Sequence, residues 1–184
     1  CTLVSGNNHG DCFWTNPPGE GRLAAPDNAV EVRVSIRANT EETGSPIYRS
    51  GPGIYQADRT DSVCGSEGAH NVTFFIGNLD NDQTGPRRVI VMVHDGAYAT
   101  SMYSSADNAW EYGKEVSLRI RYLGDGTTGH MYEYAYNAGN GWTTIATHAI
   151  VAKLSMVAPS IHYSFLEPSK VKFPVSDWAR VTFL

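Results

Sequence analysis

Val30-Glu31-Val32-Arg33-Val34-Ser35-Ile36-Arg37 sets an aliphatic residue at every second position, with charged or hydroxyl residues between. A period of two is that of a β-strand, whose side chains point alternately to its two faces. The stretch therefore predicts a strand with one buried and one open face. Val116, Leu118, Ile120 and Tyr122 alternate with Ser117, Arg119 and Arg121 in the same way. Outward from these two stretches, Val72-Thr73-Phe74-Phe75-Ile76 and residues 88–94, 130–136 and 142–152 give further strand-like runs. Shorter strands are expected around Ile47-Tyr48, at Val171-Lys172-Phe173 and over residues 178–183, and the apolar run 156–165 fits no single pattern. Asn16-Pro17-Pro18-Gly19, Gly124-Asp125-Gly126 and residues 137–141 punctuate them as turns. No helical period of useful length occurs, and residues 105–112 offer at most one turn. Many short strands joined by turn signals predict an all-β chain, an antiparallel β-sandwich, as one domain over residues 1–184. Within it, residues 1–28 are expected to form an irregular segment anchored by Cys12-Phe13-Trp14.

Composition limits what such a domain does. The chain has 184 residues, of which 41% are hydrophobic, 11% aromatic and 18% charged. A chain of this length buries roughly 70% of its unfolded surface and needs no metal merely to build a core. A charged fraction below the usual ~25%, with many aromatics, excludes general disorder. A net charge of −5 argues against nucleic acid as the partner. No apolar run approaches the ~18 residues of a membrane helix, so membrane insertion is not expected. The 3 cysteines, Cys1, Cys12 and Cys64, show no metal-site spacing and permit at most one internal disulfide. Their pairing stays open at this stage. Asn71-Val72-Thr73 matches the glycosylation acceptor pattern and leans toward an extracellular or surface-exposed location.

The order of these segments resembles the concanavalin A-like jelly-roll superfamily, especially laminin-G-type and sialidase lectin-type modules. The likeness is carried by the alternating strand at Val30–Ile36, the strands at 72–76 and 89–93, and Trp110 leading into 116–122. It continues through the aromatic-rich 132–142 and the closing Asp177-Trp178-Ala179-Arg180-Val181-Thr182-Phe183. It implies a jelly-roll β-sandwich with a glycan or polysaccharide as partner. It leaves open which sheet is concave.

The open faces of the strands hold the candidate chemistry. Arg33 and Arg37 project from the first strand, and Arg119 and Arg121 from the strand at 116–122. His94 ends the strand that begins at Arg88, while Tyr132, Tyr134 and Tyr136 share one face of the strand at 130–136. Guanidinium forks bind carboxylates in bidentate geometry, and aromatic faces suit sugar rings. Trp110 and Trp142, beside turns, supply further stacking surfaces. If the two adjacent strands pair through the turn at 124–129, Arg119, Arg121, Tyr134 and Tyr136 form the centre of a ligand surface. A one-residue change of register turns the tyrosines inward instead. The resulting expectation is a carbohydrate-recognition module for glycans, acidic ones included, from a secreted or virion-surface protein.

Two other classes are weighed. A second resemblance, to alginate-lyase-like enzymes, rests on Met92-Val93-His94 and Tyr134-Ala135-Tyr136-Asn137. It implies β-elimination on uronate polymers, with Arg37 neutralising the carboxylate, His94 removing a proton and Tyr136 protonating the leaving oxygen. Met92 stands where that pattern has Gln. The third class is a structural or protein-binding sandwich such as a capsid projection, in which a second copy of the chain is one possible partner. No cofactor is expected, save that Asp80-Asn81-Asp82-Gln83-Thr84-Gly85 resembles half a calcium loop, with Asp80 and Asp82 as oxygen ligands.

Overall fold

The computed structural model describes residues 2–6, 9–14, 23–24, 30–37, 51–58, 70–78, 86–96, 101–111, 113–165 and 178–184. Along the chain lie β1 (Thr2–Gly6), β2 (His9–Trp14), β3 (Leu23–Ala24), β4 (Glu31–Arg37), β5 (Gly51–Ala57), β6 (His70–Asn78) and β7 (Arg87–Asp95). They are followed by β8 (Ser101–Ser104), β9 (Val116–Gly126), β10 (Gly129–Asn137), β11 (Thr143–Ile150), β12 (Met156–Phe165) and β13 (Trp178–Phe183). One sheet has the order β1-β2-β12-β5-β6-β7-β8, with β3 beside β12. The other has the order β11-β10-β9-β4-β13. Every pairing is antiparallel. The chain passes from one sheet to the other between β3 and β4, β4 and β5, β8 and β9, β11 and β12, and β12 and β13. The expected all-β antiparallel sandwich of jelly-roll type is the fold. Among the described residues no helix is long and apolar enough to cross a membrane.

The core explains why the alternating stretches became strands. Val32, Val34 and Ile36 of β4 and Val116, Leu118 and Ile120 of β9 meet Ile54 of β5, Val72, Phe74 and Ile76 of β6, and Val89, Val91 and Val93 of β7. All are buried between the sheets. Burying one such side chain contributes roughly 1.5–3 kcal/mol, so the alternation dictates which face turns inward. On the outer face of the larger sheet, Phe75, Ile90 and Met92 form a separate buried cluster.

Some expectations change. Residues 1–28 include β1 and β2, and β2 is hydrogen-bonded to β12. A strand held by a central neighbour's ladder needs no apolar alternation of its own, and so the turn-like composition misled. β12, the ambiguous apolar run, lies centrally between β2 and β5. No helical turn forms over 105–111. The strands expected at Ile47-Tyr48 and 171–173 lie outside the described residues, as do Cys1 and Cys64 and with them any disulfide pairing.

Candidate functional site

The β9–β10 hairpin decides which predicted residues meet. At its tip Gly126 faces Gly129, Asp125 faces His130 and Gly124 faces Met131. Continued without interruption, that register would set Arg121 opposite Tyr134 and Arg119 opposite Tyr136. Instead a bulge intervenes between Met131 and Tyr132, and Tyr122 faces Tyr132. Leu123 is the extra residue. Beyond it Arg121 faces Glu133, Ile120 faces Tyr134, Arg119 faces Ala135 and Leu118 faces Tyr136. The expected Arg–Tyr surface is therefore corrected: one inserted residue sends the tyrosines to the face opposite the arginines.

The three tyrosines belong to the sandwich interior. Tyr134 is 0% exposed and meets the Phe74 ring edge-on, with centroids 6.0 Å apart. Burial raises its pKa well above the usual phenol value. Tyr132 accepts the Leu154 backbone N–H at 2.9 Å, and burial pushes its pKa up to about 12. Tyr136 packs against the same core. Trp110 is also buried there, its indole N–H donating to the Arg88 carbonyl at 3.0 Å, so it offers no stacking surface.

The arginines do meet, on the outer face of the five-stranded sheet. The register sets Arg33 beside Arg119 and Glu31 beside Arg121, so β4, β9 and β10 contribute one charged lattice. Glu31 accepts from Arg33 Nε with one carboxylate oxygen and from Arg121 Nε with the other, at 3.1 Å. Glu133 accepts from Arg119 Nη2 at 2.8 Å and lies 3.8 Å from Arg121 Nη1. The Thr144 hydroxyl also donates to Glu133, at 3.4 Å. Trp142 completes the lattice: the guanidinium carbon of Arg119 stands 4.4 Å from its ring centroid and that of Arg33 stands 5.3 Å away. The preceding turn fixes this ring. Asn137 Oδ1 accepts the N–H groups of Gly139 and Gly141, both of which have positive φ, a conformation that glycine adopts without strain.

Exposure divides the roles within the lattice. The side chains of Glu31 and Arg119 are 8% and 9% exposed, and that of Glu133 is 19%. Those of Arg33 and Arg121 are 41% and 40% exposed. The carboxylates thus sit low: Glu31 accepts from the Nε of both Arg33 and Arg121, and Glu133 from Arg119 Nη2, while the Arg33 and Arg121 side chains stay about two-fifths exposed. Three guanidiniums against two carboxylates leave a local surplus of positive charge on a chain of net charge −5. Sequence reasoning placed the arginines and Trp142 but missed Glu31 and Glu133 as their partners. The signal was present in β4, since Glu31 and Arg33 are two apart and share a face.

His94 lies on the other sheet. It points away from the inter-sheet core, opposite Asn71 of β6, is 0% exposed, and its pKa is lowered by burial. Arg37 follows Arg33 on the outer face of β4, opposite Trp178 of β13. The imagined lyase trio of His94, Tyr136 and Arg37 therefore occupies three different surfaces, and the structure does not bring them together. Asn71 is itself 0% exposed in mid-sheet, which removes it as a glycan attachment point in the folded chain. Asp80 and Asp82 lie outside the described residues. Among the described residues no group of three or more His, Cys, Asp or Glu is placed to hold a metal ion.

Fold and lattice together define a β-sandwich with one open, guanidinium-rich sheet face. No protein-family model matches the chain, and no curated protein matches its sequence. Solved structures of similar shape include a functionally unknown protein from Saccharomyces cerevisiae, at 10% identity and TM-score 0.47, covering 100% of this chain and 92% of that one. CG-16, a homodimeric agglutinin from chicken liver, is 10% identical with TM-score 0.45, over 88% of this chain and 98% of that one. Alginate lyase Aly36B is 10% identical with TM-score 0.45, over 98% of this chain and 81% of that one. Likenesses at this level concern overall shape and carry nothing about ligands.

Proposed function

We propose that the protein is a lectin-like module that recognises acidic glycans on the outer face of its five-stranded sheet. The observation that carries this reading is the pair Arg33 and Arg121. Both are exposed by about two-fifths, both are held by the sunken Glu31, and Trp142 lies beside Arg33. A guanidinium whose inner edge is already fixed loses little freedom on meeting a ligand carboxylate or sulfate. The rigid indole beside it suits the apolar face of a sugar ring. A ligand of this kind goes with a surface or extracellular location, which we propose with it.

The test is a glycan array read at two ionic strengths. Uronate- or sulfate-bearing glycans should be bound and released as salt rises, because exposed charges are screened over about 10 Å at ~0.1 M salt. Arg121→Ala should weaken binding by roughly 10–100-fold, the equivalent of ~1–3 kcal/mol for one charged contact. Equal binding of neutral glycans, or binding indifferent to salt, would refute the acidic-glycan reading.

A further inference from the structure

The charged lattice divides into two units, one for each carboxylate. Arg119 is paired with Glu133 at 2.8 Å, its side chain is only 9% exposed, and its guanidinium carbon stands 4.4 Å from the centre of the Trp142 ring. That pair is neutral and largely covered. Arg33 and Arg121 share the other carboxylate. In the ladder Glu31 faces Arg121, and Arg33 follows Glu31 by two residues on the same face. The two arginines are therefore diagonal neighbours, about 7–8 Å apart across the ladder. Their long side chains converge, because each donates from Nε to a different oxygen of Glu31. Among the described residues their Nη groups make no hydrogen bond, and Glu133 stands 3.8 Å from Arg121 Nη1.

Two guanidiniums on one carboxylate leave a single positive charge, and that charge lies between the two arginines. The Glu31 side chain is 8% exposed, so solvent screens its contacts weakly and both charge-assisted bonds hold firmly. Removing either arginine has a consequence for the other. The one that remains becomes a neutral one-to-one pair with Glu31 and has no net charge to offer an anion. The attraction for a ligand is thus a property of the trio and not of either arginine alone.

Resting on the acidic-glycan reading above, we infer that Arg33 and Arg121 form one anion subsite, which takes a single acidic group shared between them, with Glu31 as the positioning residue that joins the pair. The ligand class this defines is a glycan in which one acidic sugar is enough for recognition. Further acidic groups along the same chain meet no second uncompensated guanidinium within the lattice.

The test is calorimetric, at ~0.15 M salt, where exposed charges beyond about 8 Å are screened. It uses trigalacturonate and the same trisaccharide with one free carboxylate and the others methyl-esterified. The native protein should bind the two within about threefold, the statistical advantage of several equivalent acids over one. Arg33→Ala, Arg121→Ala and the double variant then form a cycle on the monoacidic trisaccharide. Each single variant should lose roughly 10–100-fold in affinity, and the double variant no more than either. In a Glu31→Gln background, where each arginine keeps its own charge, the two losses should multiply. A merely structural role for Glu31 would not change one pattern into the other. Arg33→Gln and Arg121→Gln repeat the cycle should an alanine variant fail to fold. Losses that multiply with Glu31 in place, or trigalacturonate bound far more tightly than its monoacidic form, would overturn the single subsite and leave acidic-glycan recognition standing. Losses that stay non-additive in Glu31→Gln would overturn the part assigned to Glu31. Binding of neither trisaccharide would overturn both the inference and the reading it rests on.

Discussion

Tyr134 carries a hydroxyl into the centre of the sandwich, where it has no hydrogen-bond partner among the described residues and no exposure to solvent. A buried unpaired hydroxyl costs about 1–3 kcal/mol, whereas its ring fills the space against Phe74. Tyr134→Phe should therefore raise the urea midpoint or leave it unchanged, and a loss of stability would show that the hydroxyl is partnered. His94 makes the converse point about charge. Burial lowers its folded pKa below the ordinary value of 6.5, so the unfolded chain takes up the proton first as pH falls. Stability should be fully present above about pH 6.5 and decline below it, toward the lowered folded value. His94→Gln should reduce the loss measured by urea unfolding between about pH 7.5 and about pH 5.5, and a variant with the wild-type slope would contradict this. At this scale the sequence misleads where residues are amphipathic. A tyrosine in a period-two strand fits either face, since its body is apolar and its tip polar.

β9 and β10 show what an element hides. Their existence was legible from alternation, and so was their antiparallel pairing from the glycines at the turn. The register was not, because the bulge at Leu123 has no signature in composition, and one residue exchanges the faces of three tyrosines. β5 was hidden differently. Gly51-Pro52-Gly53 looks like turn punctuation, yet it opens a strand paired with both β12 and β6. Gly53 is required by a close approach: a Cβ there would lie 2.6 Å from Phe75 Cα and Cβ and would collide with the Phe74 carbonyl. Gly53→Ala should destabilise the protein by ~1–3 kcal/mol in urea unfolding through forced overpacking. A neutral result would mean that β5 and β6 lie farther apart than described. Gly139 and Gly141 serve the site differently, through positive φ, turning the chain so that Trp142 lands on Arg119.

Across the whole molecule, the two-layer architecture was readable because a sandwich core imposes a period of two on strands with one open face, as in β4 and β9. Which sheet each strand joins was not readable, since those pairings are long-range and local sequence is silent about them. For that reason His94, Tyr136 and Arg37 could be imagined together although they lie on three surfaces. Arg33, Arg119, Arg121 and Trp142 survived as a group because β4, β9 and β10 are neighbours and Trp142 ends the short turn between β10 and β11. Ligand is proposed to be met on the outer face of the five-stranded sheet. The most direct measurement is backbone amide chemical-shift mapping during titration with a polyuronate oligosaccharide, in wild type and in Arg121→Ala. The shifts are predicted to cluster at Arg33, Arg119, Arg121, Glu133 and Trp142, and to collapse in the variant while its thermal melt stays near that of wild type. Shifts clustered instead around His94 and Asn71 on the larger sheet, undiminished in Arg121→Ala, would contradict a binding face at the arginines.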